Sequence, residues 1–270
     1  MTITSLDGAM AGMIPPESFL KVGAATVAGR LYSPFYVAGR PGAAVAPSPG
    51  IGGAALTSYS GSLPWYNPAS GNGYLSRFAA DCNVAGTLIL CDRLWHNSGI
   101  NVTLTTSQNI NSAAWPSRCP DSAGGAPDTD GHNIMIGVEV STVMGAGTPT
   151  WTMGYTNSDG TSGRSIVTAA QATTMAVGSF IPIPLAAGDK GVRSIQTWQQ
   201  SATMTSGAYH LVAYREIARL SIKTGNTGEA ADALQLGFPR MYDDSVPFLL
   251  WLPSSTTAPT IQGQAIYSHG

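Results

Sequence analysis

From Val192 to Trp198 the chain alternates, with Val192, Ser194, Gln196 and Trp198 on one face and Arg193, Ile195 and Thr197 on the other. Ser206-Gly207 interrupts, and from Ala208 to Ile217 the alternation resumes, Tyr209, Leu211, Ala213 and Arg215 opposing His210, Val212, Tyr214 and Glu216. A period of two bounded by Gly and Pro predicts strands of a half-buried antiparallel sheet. Just upstream, Pro182 and Pro184 break the apolar run Phe180 to Leu185. Proline lacks the ladder donor, so this run suits a sheet edge. Gly188-Asp189-Lys190-Gly191 has the composition of a turn.

The same reading extends along the chain. Gly86 to Trp95 predicts a buried strand, His96 to Gly99 a turn, and Ile100 to Thr106 the strand that pairs back. Asn133 to Thr142 is another strand, and Asp159-Gly160 marks a hairpin between Thr150 to Thr156 and Ser165 to Thr168. Phe238 to Leu252 is a large apolar block, and Thr256 to Tyr267 returns as a final strand. Leu75 to Asn83 reads as either a short helix or a strand. Helical signals are few: a turn beginning at the cap Ser5, with Met10 and Met13 on one face, and Gly228 to Gln235. Roughly eight to eleven short strands imply an all-β chain, an antiparallel β-sandwich or jelly-roll-like domain with an extended N-terminal arm. Without βαβ alternation a Rossmann-type enzyme is disfavoured.

The expected division is an arm and Pro/Gly-rich segment at 1–60 and a β-sandwich at 61–270. Within the arm, Phe19 to Val22 and Thr26 to Tyr36 are strand-like. Gly39 to Gly53 reads either as an arm lying on another surface or as an irregular loop wrapped on its own domain. Pro116 to His132 is the longest irregular stretch, a length usually functional or wrapped on a partner. Deleting residues 1–53 is expected to abolish assembly and leave the later β domain folded.

Composition narrows the partners. Charged residues are 10% of the 270, against a usual ~25%, so the surface is polar but uncharged and suits packing against neighbours. Six Trp, ten Tyr and six Phe exclude a disordered chain. A net charge of −2 without a basic patch argues against nucleic acid. No run approaches the ~20 apolar residues of a membrane helix, and Met1 to Asp7 lacks a secretory signal pattern. Cys82, Cys91 and Cys119 read as free buried thiols, with a Cys82–Cys91 bridge open if the two face each other across a hairpin.

Candidate chemistry does not converge. There is no GxSxG, and His96, His132, His210 and His269 occupy unrelated settings, His210 as a strand packing partner and His269 exposed. Asp128-Thr129-Asp130-Gly131-His132-Asn133 offers oxygen ligands for a hard cation, but no Glu follows in EF-hand register. Asp92 and His96 could meet at a strand end, yet two ligands do not make a site. Asp243-Asp244 and Glu229/Asp232 are the available carboxylates for glycoside hydrolysis. Gly50-Ile51-Gly52-Gly53 superficially resembles a phosphate loop but follows prolines and precedes no Lys-Ser/Thr. Trp65, Tyr66 and Tyr74 could stack on sugars, alone or with the 116–132 loop. No catalytic, cofactor or metal residue is assigned on this basis, and no cofactor is expected.

Four runs resemble, as a set, structural proteins of tailed bacteriophage virions. They are Thr2 to Pro16 (TITSLDGAMAGMIPP), Thr87 to Gly99 (TLILCDRLWHNSG), Tyr155 to Arg164 (YTNSDGTSGR) and Leu185 to Ser194 (LAAGDKGVRS). The resemblance spans most of the chain and carries no catalytic motif. It implies a virion component that decorates or cements the capsid, with the major capsid protein or neighbouring virion proteins as partners. A homo-oligomer is expected. A tail, baseplate or fibre protein with a receptor- or carbohydrate-binding role is the alternative.

Overall fold

The computed structural model describes residues 3, 5–121 and 125–270; Met1, Thr2 and Thr4 of the expected arm, and Ser122 to Gly124 of the 116–132 loop, lie outside the described residues. The first strands in chain order are β1 (Glu17–Val22), β2 (Gly39–Arg40), β3 (Ala54–Ala55), β4 (Gly73–Cys82), β5 (Gly86–His96), β6 (Gln108–Asn109), β7 (Met135–Thr142) and β8 (Trp151–Asn157). They are followed by β9 (Arg164–Val167), β10 (Phe180–Ile183), β11 (Val192–Gln200), β12 (Ala208–Ile222), β13 (Glu229–Asp232), β14 (Arg240–Met241), β15 (Pro247–Pro253) and β16 (Thr260–His269). Two short α-helices, α1 (Leu6–Ala11) and α2 (Ala233–Leu236), and a 3₁₀ turn at Pro34–Tyr36 complete the described elements. The chain is all-β, and its described strand pairs are antiparallel.

Two compact units form: residues 1–45, 58–92 and 216–270 make the first, and residues 46–57 and 93–215 the second. This division differs from the expected 1–60 and 61–270, and the reason is strand pairing within the first sixty residues. β1 lies between β16 and β2, with Phe19 2% exposed in the core of the first unit. β3 pairs with Trp95 and His96 of β5 in the second. β5 gives residues 86–92 to the first unit and 93–96 to the second; β12 gives 216–222 to the first and 208–215 to the second.

The first unit is a sandwich. One sheet runs β13-β4-β16-β1-β2, with β14 also paired to β4. Its inward residues Leu75, Phe78, Ile261 and Tyr267 meet Leu88, Leu90, Ile222 and Trp251 of the facing strands. The outer edge of β15 is covered by residues 29–32: Gly29 N donates to Pro253 O (2.9 Å), and Tyr32 and Trp251 exchange backbone bonds of 2.8 and 2.7 Å. The expected strand Thr26 to Tyr36 therefore shrinks to one bridge, because Gly29 turns at φ +74° and Pro34 opens a 3₁₀ turn. Lys21 is 2% exposed and donates to Val37 O (3.3 Å) and Gly42 O (3.1 Å), which fastens the start of the Gly39–Gly53 segment; burial pulls its ammonium down to about 8.

In the second unit the sheet β6-β11-β8-β9 supplies Trp151, Tyr155, Ile195 and Trp198 to the core, met by Val138, Val140, Tyr209 and Leu211. Trp198 Nε1 donates to Tyr209 Oη (2.9 Å), whose hydroxyl donates to Gln200 Oε1 (3.2 Å), so these buried polar atoms are satisfied. β10 ends its sheet, as Pro182 within it and Pro184 just after it predict. The β8–β9 hairpin turns at Gly160 (φ +81°).

Two further elements differ from expectation. Ile100 to Thr106 is a loop, because Asn101 Oδ1 accepts from Thr103 N (2.9 Å) and Thr103 Oγ1 (2.8 Å), a local turn that competes with pairing; only Gln108–Asn109 joins β11. Gly228 to Gln235 is β13 followed by one helical turn, with Asp232 and Gln235 forming a capping box and Gly237 (φ +72°) ending it. Leu75 to Asn83 resolves as a strand, and Ser5 Oγ caps α1 by accepting from Gly8 N (3.1 Å). The three cysteines are free and buried. Cys82 lies on β4 and Cys91 on β5, strands that do not pair with each other.

Candidate functional site

Polar side chains gather inside the second unit where β5, β7 and β12 run side by side. Arg93 and Glu139 form a 2.8 Å ion pair, each side chain fully buried. Arg93 Nε donates to His96 Nδ1 (3.2 Å). Burial first, then the Arg93 charge and His210, push the His96 imidazole down to about 2, so it is neutral. His210 Nδ1 lies 2.8 Å from Asn97 O and its Nε2 2.7 Å from Ser141 Oγ. A carbonyl oxygen can only accept, so Nδ1 carries the proton and Nε2 accepts from the serine hydroxyl. This places a serine beside an imidazole, but the ring is oriented by a backbone carbonyl, and the nearby carboxylate of Glu139 is bound to Arg93. Burial also lowers His210, and the residue is 4% exposed. The bonds of His210 join β7, β12 and the turn at Asn97. Arg118, also buried, donates to Leu56 O and Arg93 O and pins the 116–132 loop to this network.

Asp92 does not meet His96: its carboxylate accepts from Ser245 Oγ (3.0 Å) and Val246 N (2.8 Å) in the first unit. Asp128 and Asp130 are also occupied. Asp128 Oδ1 accepts from Asp130 N (2.8 Å), and Asp130 pairs with Arg193 (2.7 Å). Among the described residues no group of three or more His, Cys, Asp or Glu could hold a metal ion. Asp232 caps α2, and Asp244 Oδ1 accepts from Asn67 Nδ2 (2.8 Å), so two of the four available carboxylates serve local turns. Gly53, at φ +67°, allows the close approach of Trp95, whose ring would sit 2.3 Å from an added Cβ. That is a packing role, not a phosphate cradle. His269 is half-buried rather than exposed, stacked edge-on to Trp65 at 5.4 Å.

Asp189 is among the residues that escaped sequence reasoning. Asp189, read only as part of a turn, accepts from Tyr155 Oη (2.5 Å), Asn157 Nδ2 (2.8 Å) and Arg164 Nε (2.9 Å). Burial alone would raise its carboxyl, but these three donors hold it down at about 2. A tyrosine, an asparagine and an arginine spaced along a hairpin were the available signal.

The aromatic candidates separate. Trp65 packs into the first unit against Tyr267 at 4.9 Å, whereas Tyr66 is 58% exposed. Tyr74 joins a surface ladder: Phe238 lies 5.0 Å from its ring, and the Arg240 guanidinium sits 5.9 Å from Tyr74 and 5.1 Å from Tyr242. Farther along β4, the outward face of the same sheet carries a shallow groove of about 570 Å³ lined by Arg77, Ala79, Asp81, Glu229, Gln262 and Gln264, among others. Gln262 Nε2 donates to Asp81 Oδ2 (2.9 Å).

No protein-family model and no curated protein matches this sequence. Among solved structures, it aligns with the infectious bursal disease virus VP2 subviral particle at 10% identity, over 96% of this chain and 81% of that chain, with a TM-score of 0.18. The corresponding values for the infectious bursal disease virus Gt strain are 10%, 95%, 81% and 0.18. For T=1 particles derived from infectious bursal virus they are 9%, 96%, 79% and 0.17. Alignments at these scores define neither a common fold nor a common function.

Proposed function

We propose that this chain is a non-enzymatic structural component of a tailed-bacteriophage virion, made in the bacterial cytoplasm, and that it decorates or cements the head lattice beside the major capsid protein. Support comes from where the four phage-like runs fall. Asp189 of the fourth run clasps Tyr155, Asn157 and Arg164 of the third. The second run holds Arg93, His96 and Asn97 of the buried polar network. The first run supplies α1 and lies beside β16 through the Met13–Ser268 bridge. The runs that carry the resemblance thus hold turn, strand and buried polar contacts, and this supports a structural role for them. A surface of low charge density would bind neighbours through apolar area and show a weak salt dependence.

Copies per particle, counted by quantitative mass spectrometry of purified virions against the major capsid protein, test this reading. A count in the hundreds is expected. A few dozen or fewer would move the chain to the tail or a fibre, and its absence from particles would overturn the virion role.

A further inference from the structure

We propose that the outward face of the β13-β4-β16-β1 sheet binds a neutral oligosaccharide. The strand register lays out the groove floor. Ser18, Gln264, Ala79 and Ala230 are successive cross-strand partners, a low row of small and amide side chains. Leu20, Gln262 and Asp81 form the next row. Gln262 Nε2 donates to Asp81 Oδ2 (2.9 Å), so an amide and a carboxylate are presented side by side. The groove volume, about 570 Å³, falls within the range of small-molecule clefts.

At the start of β4 the same face carries the ladder of Phe238, Tyr74, Arg240 and Tyr242. Arg240 is the cross-strand partner of Tyr74. Phe238 reaches that ring from a left-handed backbone (φ +55°) directly after Gly237 (φ +72°). A bulky residue in this region is strained, and such strain concentrates at ligand clamps. Exposed Tyr66 is held beside the turn after Tyr242, since Asn67 and Asp244 exchange two 2.8 Å bonds.

The chemistry matches a pyranose chain. A sugar ring has an apolar C–H face, which an aromatic ring covers, and a rim of hydroxyls that both donate and accept, which amides, carboxylates and guanidinium groups satisfy in pairs. Charges are mixed, Arg77 against Asp81 and Glu229, and Arg240 near Asp243 and Asp244, which disfavours a phosphate-rich ligand. A peptide strand would instead seek a sheet edge with open backbone groups, and this groove lies on a face. The proposal rests on this surface alone and does not depend on where in a particle the chain resides.

The test is isothermal titration of the full chain with maltohexaose, cellohexaose and chitohexaose, each to about 1 mM. At least one is expected to bind, and Gln264→Ala, Asp81→Ala and Tyr242→Ala are each expected to weaken it about tenfold or more without shifting the melting temperature. Absence of binding by all three sugars overturns the proposal, as does undiminished binding by the three variants. If the variants fail to join particles while no sugar binds, the face is a protein interface and the proposal is wrong.

Discussion

Glu139 and Arg93 lie side by side with no exposed side-chain surface, so each depends on the other to offset the loss of hydration. Removing one partner takes from the other a counter-charge held at 2.8 Å in a site without exposed surface. Glu139→Ala is therefore expected to destabilise the chain by about 3–5 kcal/mol, whereas the double change Arg93→Met with Glu139→Leu should recover much of that loss. Urea unfolding of the single and double variants decides between a needed charge pair and mere volume. The neighbouring imidazoles set a pH dependence. His96 is pulled from 6.5 to about 2 and His210 is lowered as well, both chiefly by burial. The unfolded chain then binds protons that the folded chain cannot, so this contribution is complete above about pH 6.5 and declines as pH falls toward 2. The urea midpoint should drop between about pH 7.5 and about pH 5, and His96→Asn should flatten part of that drop. An unchanged midpoint would mean that the histidines are not held neutral.

At the scale of elements, the Asp189 clasp fixes how the β8–β9 hairpin closes. Its carboxyl is depressed from 3.8 to about 2, so its stabilisation is present above 3.8 and is lost as pH falls through about 2. Asp189→Ala should raise hydrogen-exchange rates of the β9 amides while those of β7 stay slow. Equal protection in both strands would show that the clasp contributes nothing local. Most strands were legible because alternation and Gly/Pro punctuation report burial one residue at a time, as in β10, β11 and β12. Ile100 to Thr106 misled because its alternating pattern says nothing about Asn101, whose side chain takes the bonds a partner strand would need. The candidate site was less legible. Tyr74 stands out in the sequence, but Phe238, Arg240 and Tyr242 enter the ladder only through the pairing of β14 with β4, more than 150 residues later in the chain.

For the whole molecule, the two units divide the first sixty residues between them, and this reverses the expected effect of truncation. Removing residues 1–53 deletes β1 and with it the buried Phe19, and also takes Gly50, whose carbonyl accepts from Ser98 N (2.9 Å) in the second unit. Loss of a buried Phe alone costs about 3–5 kcal/mol, so the truncated chain is expected to lose its cooperative thermal transition, measured by calorimetry. A full transition would restore the view of a detachable arm. The three cysteines offer a different use of the same architecture. All are fully buried, Cys82 and Cys91 in the first unit and Cys119 in the second, with the Cys119 thiol pushed up to about 12 chiefly by burial. A thiol reagent can reach them only when the surrounding strands part. Each unit thus contains a native chemical clock, and peptide mapping of labelled cysteines would time the opening of one unit separately from the other without introducing a probe.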